Sequence, residues 1–511
     1  METPSDENTT GSNVQQAPKD SDGQKTRKRD TSARAIVTLT ERLSFQLFHT
    51  PGQVAFASLF FKDHWETYRL KSSGFKELLS ALCFRVTGSV PNQNNLADAL
   101  NTLVGKALYD GPEEQVYTRL TQHDGAVYLD LGSDSWEVVR ITAGGWEVIF
   151  QAPVKFVRSP DMLALPRPAD GGNIDLLRPV LNLDGDNLTL AGGWLVGAMH
   201  PKGPFPILVL EGTHGSAKST AARFLLSLVD PRKAQIRGSP RNAHELAISA
   251  ANSWCLGFDN LSEVRPWLSD ALCRLSTGSG FSTRAYYTDD EEKIFEGTRP
   301  VLLSGIAISI DREDLRDRSI FLSLPPIENG RRMTVDQVSA RFHEIQPYVL
   351  GCLLDAVACA LRRSAVTKLD NLPRMADFVT WVSAAESALG WQQGSFCEAY
   401  SRNRNESNAI VLETSQLYGP IVRIVGEGPW EGTATELFDK VWYAGPTFGD
   451  STKQLPATIK ELSQALRRLA PNLRQEGIGV DFVRTPGSGS KRMIRVRRLA
   501  IDGTEGGCAG K

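Results

Sequence analysis

The middle of the chain alternates short apolar runs with amphipathic segments, a pattern typical of a buried sheet with helices on its faces. Apolar runs at 205–210, 253–258 and 299–306 predict buried strands. Segment 221–228 follows the first run after a short loop, is rich in apolar residues and predicts a helix. We therefore expect an α/β core in this part of the chain.

The region before this core has a different pattern. Helical spacing at 75–82 comes first, and strand-like runs follow at 126–131, 136–141 and 145–150. The stretch at 163–172 is rich in Pro and Gly, which predicts a boundary between segments. The sequence therefore predicts an N-terminal α+β accessory domain that ends there.

Changes of composition divide the whole chain into six predicted segments. The first of them is polar and almost free of aliphatic residues, which predicts disorder. The segments are a disordered tail at 1–34, the N-terminal α+β accessory domain at 35–170, the α/β core at 171–330, a helical segment at 331–429, a basic terminal module at 430–498 and a tail at 499–511.

The loop between the first strand and its helix has the glycine, lysine and serine spacing of a phosphate-binding P-loop. Gly212 and Gly215 allow the backbone to wrap around a phosphate chain, and Lys218 reaches the β- and γ-phosphates. Ser219 supplies a hydroxyl to Mg²⁺. We expect ATP and Mg²⁺ as cofactors, bound by Gly212, Thr213, His214, Gly215, Ser216, Ala217, Lys218, Ser219 and Thr220.

One position departs from the usual P-loop pattern. Ala217 stands directly before Lys218, where Gly is usual. Alanine tolerates helical backbone angles but disfavours a left-handed turn. We therefore expect a less permissive loop than the usual one.

Two later strands end in polar residues that suit the same site. Asp259 ends the run at 253–258 and is a predicted Mg²⁺ ligand. Asn260 follows at the position where hydrolysing ATPases carry an acidic residue. An amide orients a water molecule but cannot accept its proton. The identity of the catalytic base is therefore open, and Glu263 is a candidate. Ser304 ends the third strand and either senses the γ-phosphate or is an ordinary strand-ending serine.

Three arginines precede the next apolar strand, at Arg312, Arg316 and Arg318. This spacing suits an arginine finger that neutralises transition-state charge on the nucleotide of a neighbouring subunit, with Arg318 favoured. The alternative is a surface network of ion pairs with the aspartates of the same segment. We count Lys218, Asp259, Asn260 and Arg318 as the candidate catalytic residues.

A predicted hairpin lies between the second and third strands, at 277–290. It contains glycines, Arg284 and two adjacent tyrosines. Arg284 suits contact with phosphate and the tyrosines suit stacking on bases, while burial of the tyrosines in a core is the alternative.

The terminal module has the pattern of a winged helix. Segment 459–469 is amphipathic, and two strand-like runs at 480–483 and 493–497 flank a glycine-rich turn. Residues 453–498 contain eleven Lys or Arg against three Asp or Glu, which favours DNA as the partner. The candidate DNA-binding residues are Arg284, Lys460, Arg467, Arg468, Lys491 and Arg492.

Composition restricts the class of protein. The chain has 511 residues, 41% of them hydrophobic, and a net charge of −2, so DNA contact depends on local basic patches. No apolar run reaches the length of a membrane span, so we expect no membrane partner and a cytoplasmic location. Seven cysteines without a C-x-x-C pair indicate buried thiols in a reducing compartment.

The order of these motifs is recognisable, from the P-loop through 258–260, 268–274, 278–281 and 299–301 to 314–318. It resembles ATP-binding proteins of phages and integrated mobile elements and, more distantly, the superfamily-three helicases of the AAA+ class. The resemblance implies an AAA+-like fold, a homo-oligomeric ring, a hairpin at 284–293 that contacts single-stranded DNA in the channel, and a finger at Arg318.

The leading hypothesis is an ATP-dependent DNA helicase or translocase of this type, acting in phage or mobile-element replication. The alternative is a nucleotide-switched DNA-binding loader or regulator with slow hydrolysis, which Asn260 favours. A small-molecule kinase fits poorly with the arginine cluster and the basic terminal module.

Overall fold

The computed structural model describes most of the chain between residues 32 and 499. The described ranges are 32–183, 185–278, 281–284, 292–295, 297–310, 312–328, 330, 332–369, 372–444, 455–484 and 492–499, with the backbone alone at 281–284, 292–295, 414 and 444. By internal contacts these residues form two units, the first comprising 32–57 and 68–113 and the second 58–67 and 114–499.

The first unit contains helices whose N-termini are capped by polar side chains. Ser72 and Asn92 each accept a hydrogen bond from a backbone N–H in the first turn of the helix that follows. Two of the strands of a three-stranded sheet, in the order β1-β2-β3, run from this unit into residues 58–67. The elements are α1 (Ala33–Arg42), β1 (Gln46–His49), β2 (Ala55–Phe61), β3 (His64–Arg69), α2 (Ser73–Thr87) and α3 (Gln93–Tyr109).

The second unit begins with a four-stranded antiparallel sheet of order β5-β6-β7-β8 and a short parallel pair, β4-β9. These strands are β4 (Val116–Tyr117), β5 (Leu120–His123), β6 (Ala126–Asp130), β7 (Val138–Thr142), β8 (Gly145–Ile149) and β9 (Lys155–Phe156). The strands predicted at 126–150 are therefore confirmed. Their apolar face shares one core with the α/β part of the chain, through residues such as Leu129 and Ile141.

This shared core corrects the predicted accessory domain at 35–170, because the contacts divide that region near residue 114. A buried network of ion pairs joins the residues after position 114 to the α/β part of the chain. The Arg119 guanidinium is fully buried and donates to the Asp230 carboxylate over 2.9 Å, and Arg232 donates to the same carboxylate over 2.8 Å. Burial alone would raise the pKa of Asp230, but the two guanidiniums hold it below its ordinary value.

The α/β part follows, after a short 3-10 helix at Ile174–Leu177. Its parallel sheet has the order β11-β14-β10-β15, and β12 and β13 pair as an antiparallel hairpin. The elements are α4 (Arg178–Leu181), α5 (Gly185–Ala198), β10 (Ile207–Gly212), α6 (Lys218–Ser227), α7 (Ala243–Asn252), β11 (Leu256–Phe258), α8 (Pro266–Thr277), β12 (Phe281–Arg284), β13 (Glu292–Phe295), β14 (Val301–Ser304), α9 (Glu313–Arg316) and β15 (Ser319–Leu324).

Both faces of this sheet are covered, as its unbroken apolar runs predict. Leu208, Leu210 and Leu302 pack into the core that includes α5 and α6. Val209 and Leu303 face the opposite side, where α7 and α8 contribute Leu246 and Leu268 among others. The result is a P-loop NTPase-like α/β core, and the strands predicted in it are confirmed.

The predicted helical segment contains three long helices, α10 (Val335–Arg363), α11 (Ala376–Ala385) and α12 (Ser395–Thr414). By length and composition alone α10 could cross a membrane, but 67% of its most apolar stretch is buried inside the protein. It packs against α5, α11 and the sheet strands β7 and β8. This helix is therefore part of the core of the second unit.

The terminal module has its own apolar core, to which Leu462, Leu466 and Leu473 contribute. Its antiparallel sheet has the order β16-β18-β17. The helix and two strands predicted at 459–497 are confirmed. The elements are β16 (Trp430–Thr433), α14 (Ala434–Ala444), α15 (Ile459–Gln475), β17 (Ile478–Arg484) and β18 (Arg492–Arg498), and α13 (Tyr418–Gly426), at the end of the predicted helical segment, packs into the same core.

Candidate nucleotide site and nucleic-acid interface

The predicted P-loop lies where β10 ends and α6 begins. Gly212 is the last residue of β10, and a Cβ on it would lie 2.5 Å from the Leu324 carbonyl oxygen of β15, so only glycine fits. Gly215 has a φ of +78°, in the left-handed region that glycine adopts freely. Lys218 is the first residue of α6, which places it at the positive end of the helix dipole.

Ala217 is in a left-handed conformation, with φ +62° and ψ +26°. Glycine, which is usual at this position, adopts this conformation freely, whereas the Cβ of alanine opposes it. The sequence mismatch therefore corresponds to local backbone strain, on the order of 1–2 kcal/mol.

Lys218 bends back over the loop that precedes it. Its Nζ donates to the carbonyl oxygens of Gly212, over 2.7 Å, and of Thr213, over 2.8 Å. Ser216 is fully buried, and its hydroxyl donates to the Thr213 carbonyl oxygen over 2.9 Å. Ser219 and Thr220 are half-buried on the first turn of α6, while Thr213, His214 and Gly215 are exposed.

Asp259 and Ser304 meet at the same edge of the sheet. Strands β11 and β14 are neighbours, and the Ser304 hydroxyl donates to Oδ1 of Asp259. Ser304 is fully buried and pairs in register with Leu210, two residues before Gly212. The structure thus brings together the two polar strand ends that the sequence marks as candidates, beside the start of the P-loop.

Asn260 has a φ of +59°, a conformation that asparagine tolerates better than most residues. Its backbone N–H donates to Oδ1 of Asp259 over 2.9 Å, and its side chain is exposed. Glu263 is also exposed and forms a backbone bridge with Ser309. The Asp259 carboxylate is therefore held by both Ser304 and Asn260.

The arginines near α9 form ion pairs within the chain. Arg318, with only 14% of its side chain exposed, pairs with Asp314. Arg316 donates to the carbonyl and hydroxyl oxygens of Ser407 over 2.9 and 3.0 Å. Arg312 pairs with Asp270 over 2.8 Å and is 47% exposed. Of the ion pairs expected with the aspartates of the same segment, the one between Arg318 and Asp314 is present among the described residues, and a finger at Arg318 requires that this pair opens.

Two arginines of this network were missed by the sequence analysis. Arg374 pairs with Asp314 and, over 3.1 Å, with Asp317, and Arg404 lies 3.3 Å from the same Asp317 carboxylate. Both lie far along the chain from α9 and belong to no motif, so no sequence signal marks them.

On the described part of the terminal module, exposed basic residues lie on α15 and along strands β17 and β18. Lys460, Arg467 and Arg468 are exposed on α15, and the Arg467 guanidinium stacks on the Phe482 ring of β17 at 4.2 Å. Arg492 lies directly opposite Arg484 in the β17–β18 register. Lys491 lies outside the described residues, and of Arg284 the structure describes only the β12 backbone.

The opposed pair of Arg484 and Arg492 has an electrostatic consequence. Like charges directly opposite each other on adjacent strands repel, so a bound anion would stabilise this pair. By contrast, Arg495 is paired with Glu431 over 2.9 Å and Arg497 with Asp481 over 3.4 Å. Arg484 was missed by the sequence analysis, and the signal that could have found it is its register position across the predicted glycine-rich turn.

Six described cysteines are free thiols, five of them buried, as the sequence predicts. Burial raises the pKa of the Cys273 thiol to about 12 and that of Cys352 to about 11, so both stay protonated. Among the residues that the structure describes, no group of three or more His, Cys, Asp or Glu is placed to hold a metal ion.

Two family models match the chain. Residues 174–403 match the model described as actinomycete integrative conjugative element replication protein, and residues 419–504 match the model for the C-terminal domain of the same RepA protein. Together the two models span more than half of the chain. The chain belongs to this family of mobile-element replication proteins. The matched ranges begin at the 3-10 helix before the α/β core and leave residues 32–173 outside them.

Solved structures similar to this replication protein include the C-terminal region of NrS-1, at 11% identity and a TM-score of 0.38, covering 91% of this chain and 100% of that one. The structure titled SCCmec type IV Cch, active helicase, has 12% identity and a TM-score of 0.44, and the match covers 88% and 92% of the two chains. No curated protein matches the sequence.

Proposed function

We propose that this replication protein is an ATP-dependent DNA helicase or translocase, of superfamily-three-like AAA+ type, that acts in replication of a mobile element. The observation that carries the proposal is the contact of Ser304 with Asp259 at the sheet edge where the P-loop also begins. A carboxylate oriented by a buried hydroxyl next to a phosphate-binding loop suits hydrolysis of a nucleoside triphosphate. Family membership supports the role in replication.

Each residue of the proposed site has its own role in binding or hydrolysing the nucleotide. Lys218 exchanges its contacts with the Gly212 and Thr213 carbonyls for the β- and γ-phosphates. Ser219 and Asp259 would hold Mg²⁺, which would supply charge neutralisation at the phosphates. Ser304 keeps Asp259 in place and senses the γ-phosphate through it. Asn260 orients the attacking water through its exposed amide.

The second candidate function is a nucleotide-switched loader or regulator with slow hydrolysis. Asn260 favours it, because an amide cannot accept the proton of the attacking water. In this case ATP binding would set assembly on DNA, and turnover would be low with or without DNA.

Arg318 is the proposed finger, in a homo-oligomeric ring. Its present partner Asp314 is also bound by Arg374, so the carboxylate keeps a guanidinium partner when Arg318 leaves. This exchange lowers the cost of freeing Arg318, because a carboxylate left without a partner in a partly buried position is destabilising.

The terminal module is proposed to be a winged helix that grips duplex DNA. Helix α15 is the groove-binding helix, with Lys460, Arg467 and Arg468 as its basic residues. The β17–β18 turn is the wing, with Arg484 and Arg492 at its base and Lys491 in it. In the α/β core, the β12–β13 hairpin that carries Arg284 is the proposed contact to single-stranded DNA.

The first test is hydrolysis of Mg·ATP with and without DNA. We expect DNA to stimulate the wild-type rate, and Lys218→Ala to abolish it. A double variant, Arg467→Glu with Arg468→Glu, keeps its basal rate but needs more DNA for half-stimulation. Its DNA affinity depends less on salt, with a log–log slope smaller by about 2 if each arginine contacts one phosphate.

Glu431→Gln, on the neighbouring strand β16, is the control because its carboxylate is paired with Arg495 and belongs to no residue proposed to bind DNA. Unchanged DNA binding in the double variant would reject the winged-helix assignment. Binding of ATP and DNA without any stimulation of hydrolysis would favour the nucleotide-switched loader.

A further inference from the structure

Residues 325–328, 330 and 332–334 lie between β15 and α10 in the chain and are called the strap below. Gly212 pairs in register with Leu324, the residue directly before the strap. One side-chain amide ties the two segments together, because Nδ2 of Asn182 donates to the Pro325 carbonyl oxygen over 2.7 Å and lies 3.4 Å from that of Ser216. The strap therefore starts at a fixed position beside the loop.

The far end of the strap is fixed as well. Thr334 caps α10 and forms a reciprocal capping box with Gln337, which stabilises the start of the helix. Arg332 lies two residues before this cap, and its Nε donates to the Ile327 carbonyl oxygen over 3.4 Å. The side chain of Arg332 is thus held by its own strap.

The guanidinium of Arg332 reaches the P-loop. Its Nη2 lies 3.7 Å from the position that a Cβ on Gly215 would occupy, while Arg332 itself is solvent-exposed. Gly215 is exposed too, at the centre of the loop whose N–H groups are expected to face the phosphates. A positive charge in addition to Lys218 therefore lies beside Gly215 of the P-loop, on a segment that the sequence motifs do not include.

We infer that Arg332 is a phosphate-contacting residue of the nucleotide site, acting within the same subunit. The inference rests on the proposed function, because it assumes a nucleoside triphosphate in the P-loop. Lys218 acts as a point charge, whereas the planar guanidinium of Arg332 can donate two parallel hydrogen bonds to one phosphate. Arg332 would contact the phosphates from the solvent side of the P-loop. Arg318 would remain the residue that acts on the nucleotide of the neighbouring subunit.

The test is a binding titration of the full chain with Mg·ATP and a fluorescent ATP analogue as the probe. We expect Arg332→Ala to raise the Kd by about 10-fold or more, the usual effect of losing a hydrogen bond to a charged group. Arg332→Lys keeps the positive charge but loses the two parallel hydrogen-bond donors of the guanidinium. Its Kd therefore lies between the Kd of the wild type and that of Arg332→Ala. Arg341→Ala, an exposed arginine on α10, is the matched control and binds as wild type does.

A thermal melt separates a binding role from a structural one. Without nucleotide, Arg332→Ala melts at the wild-type temperature, and only its stabilisation by Mg·ATP is reduced. Wild-type affinity in Arg332→Ala, together with loss of binding in Lys218→Ala, overturns the inference and leaves the proposed function standing. Wild-type affinity in Lys218→Ala as well rejects the nucleotide site itself.

Discussion

At the scale of single residues, Ala217 links the sequence motif to a measurable cost. Its left-handed backbone precedes the residue expected to contact phosphate, so the loop holds a shape that alanine disfavours. The sequence shows that alanine replaces the usual glycine, and the structure shows that this alanine has a left-handed backbone conformation. Glycine at this position would remove the clash between the Cβ and the backbone.

We therefore predict that Ala217→Gly raises the thermal midpoint of the second unit. Relief of the strain is worth about 1–2 kcal/mol, and the greater freedom of glycine in the unfolded chain offsets part of it, so about 1 kcal/mol remains. The control is Ala222→Gly, the same substitution at a buried helical position of α6, which lowers the midpoint. If Ala217→Gly lowers the midpoint as much as the control does, the strain is not real.

Other residues of the site could not be found from the sequence. Lys218, Asp259 and Ser304 were identified because each follows an apolar run that predicts a strand. Asn182, Arg332 and Arg374 reach the site or the arginine network from segments without a motif, through contacts that depend on the folded backbone. Local pattern therefore identifies strand ends, but it does not identify the long-range contacts of single residues such as Asn182, Arg332 and Arg374.

At the scale of elements, α12 makes contacts that hold several parts of the second unit together. Asn403 pairs with the edge strand β15, accepting from the Phe321 N–H over 3.0 Å and donating to its carbonyl oxygen over 2.6 Å. Further along α12, Ser407 receives Arg316, and Asn408 accepts from Asn472 of α15 over 3.1 Å. One helix thus contacts both the arginine segment and the helix proposed to bind DNA.

We predict that Asn403→Ala destabilises the protein by about 2–3 kcal/mol. The substitution leaves the N–H and the C=O of the half-buried Phe321 without their amide partner, and each unsatisfied group costs about 1–3 kcal/mol when it is buried. Asn405→Ala, two residues on and exposed, is the matched control and changes stability by less than about 0.5 kcal/mol. The measurement is thermal unfolding of both variants, and equal midpoints would contradict the role of Asn403.

The elements differ in how far the sequence predicts them. Strands β10, β14 and β15 follow from apolar runs, and α15 follows from its amphipathic spacing and its Thr458 cap. The assignment of β5–β8 to the second unit does not follow from the sequence. It depends on a buried ion pair between Arg119 and Asp230, which are 111 residues apart in the chain. Long-range pairing of this kind leaves no local signal.

At the scale of the whole molecule, charge is distributed unevenly. The chain is nearly neutral, with a net charge of −2, yet α15 and the β17–β18 strands carry most of the basic residues of the terminal module. Such a distribution favours contact with nucleic acid at the terminal module over nonspecific binding elsewhere on the surface. The parallel sheet carries the proposed nucleotide site, and α12 contacts both the arginine segment and this basic module.

The proposed function requires that ATP turnover at the P-loop drives movement on DNA. The most direct measurement is displacement of a labelled strand from forked DNA by the full chain with Mg·ATP, beside Lys218→Ala. We predict displacement that requires hydrolysable ATP and is lost in the variant. Binding of both ATP and forked DNA without displacement would contradict the claim and would identify the protein as a nucleotide-switched loader.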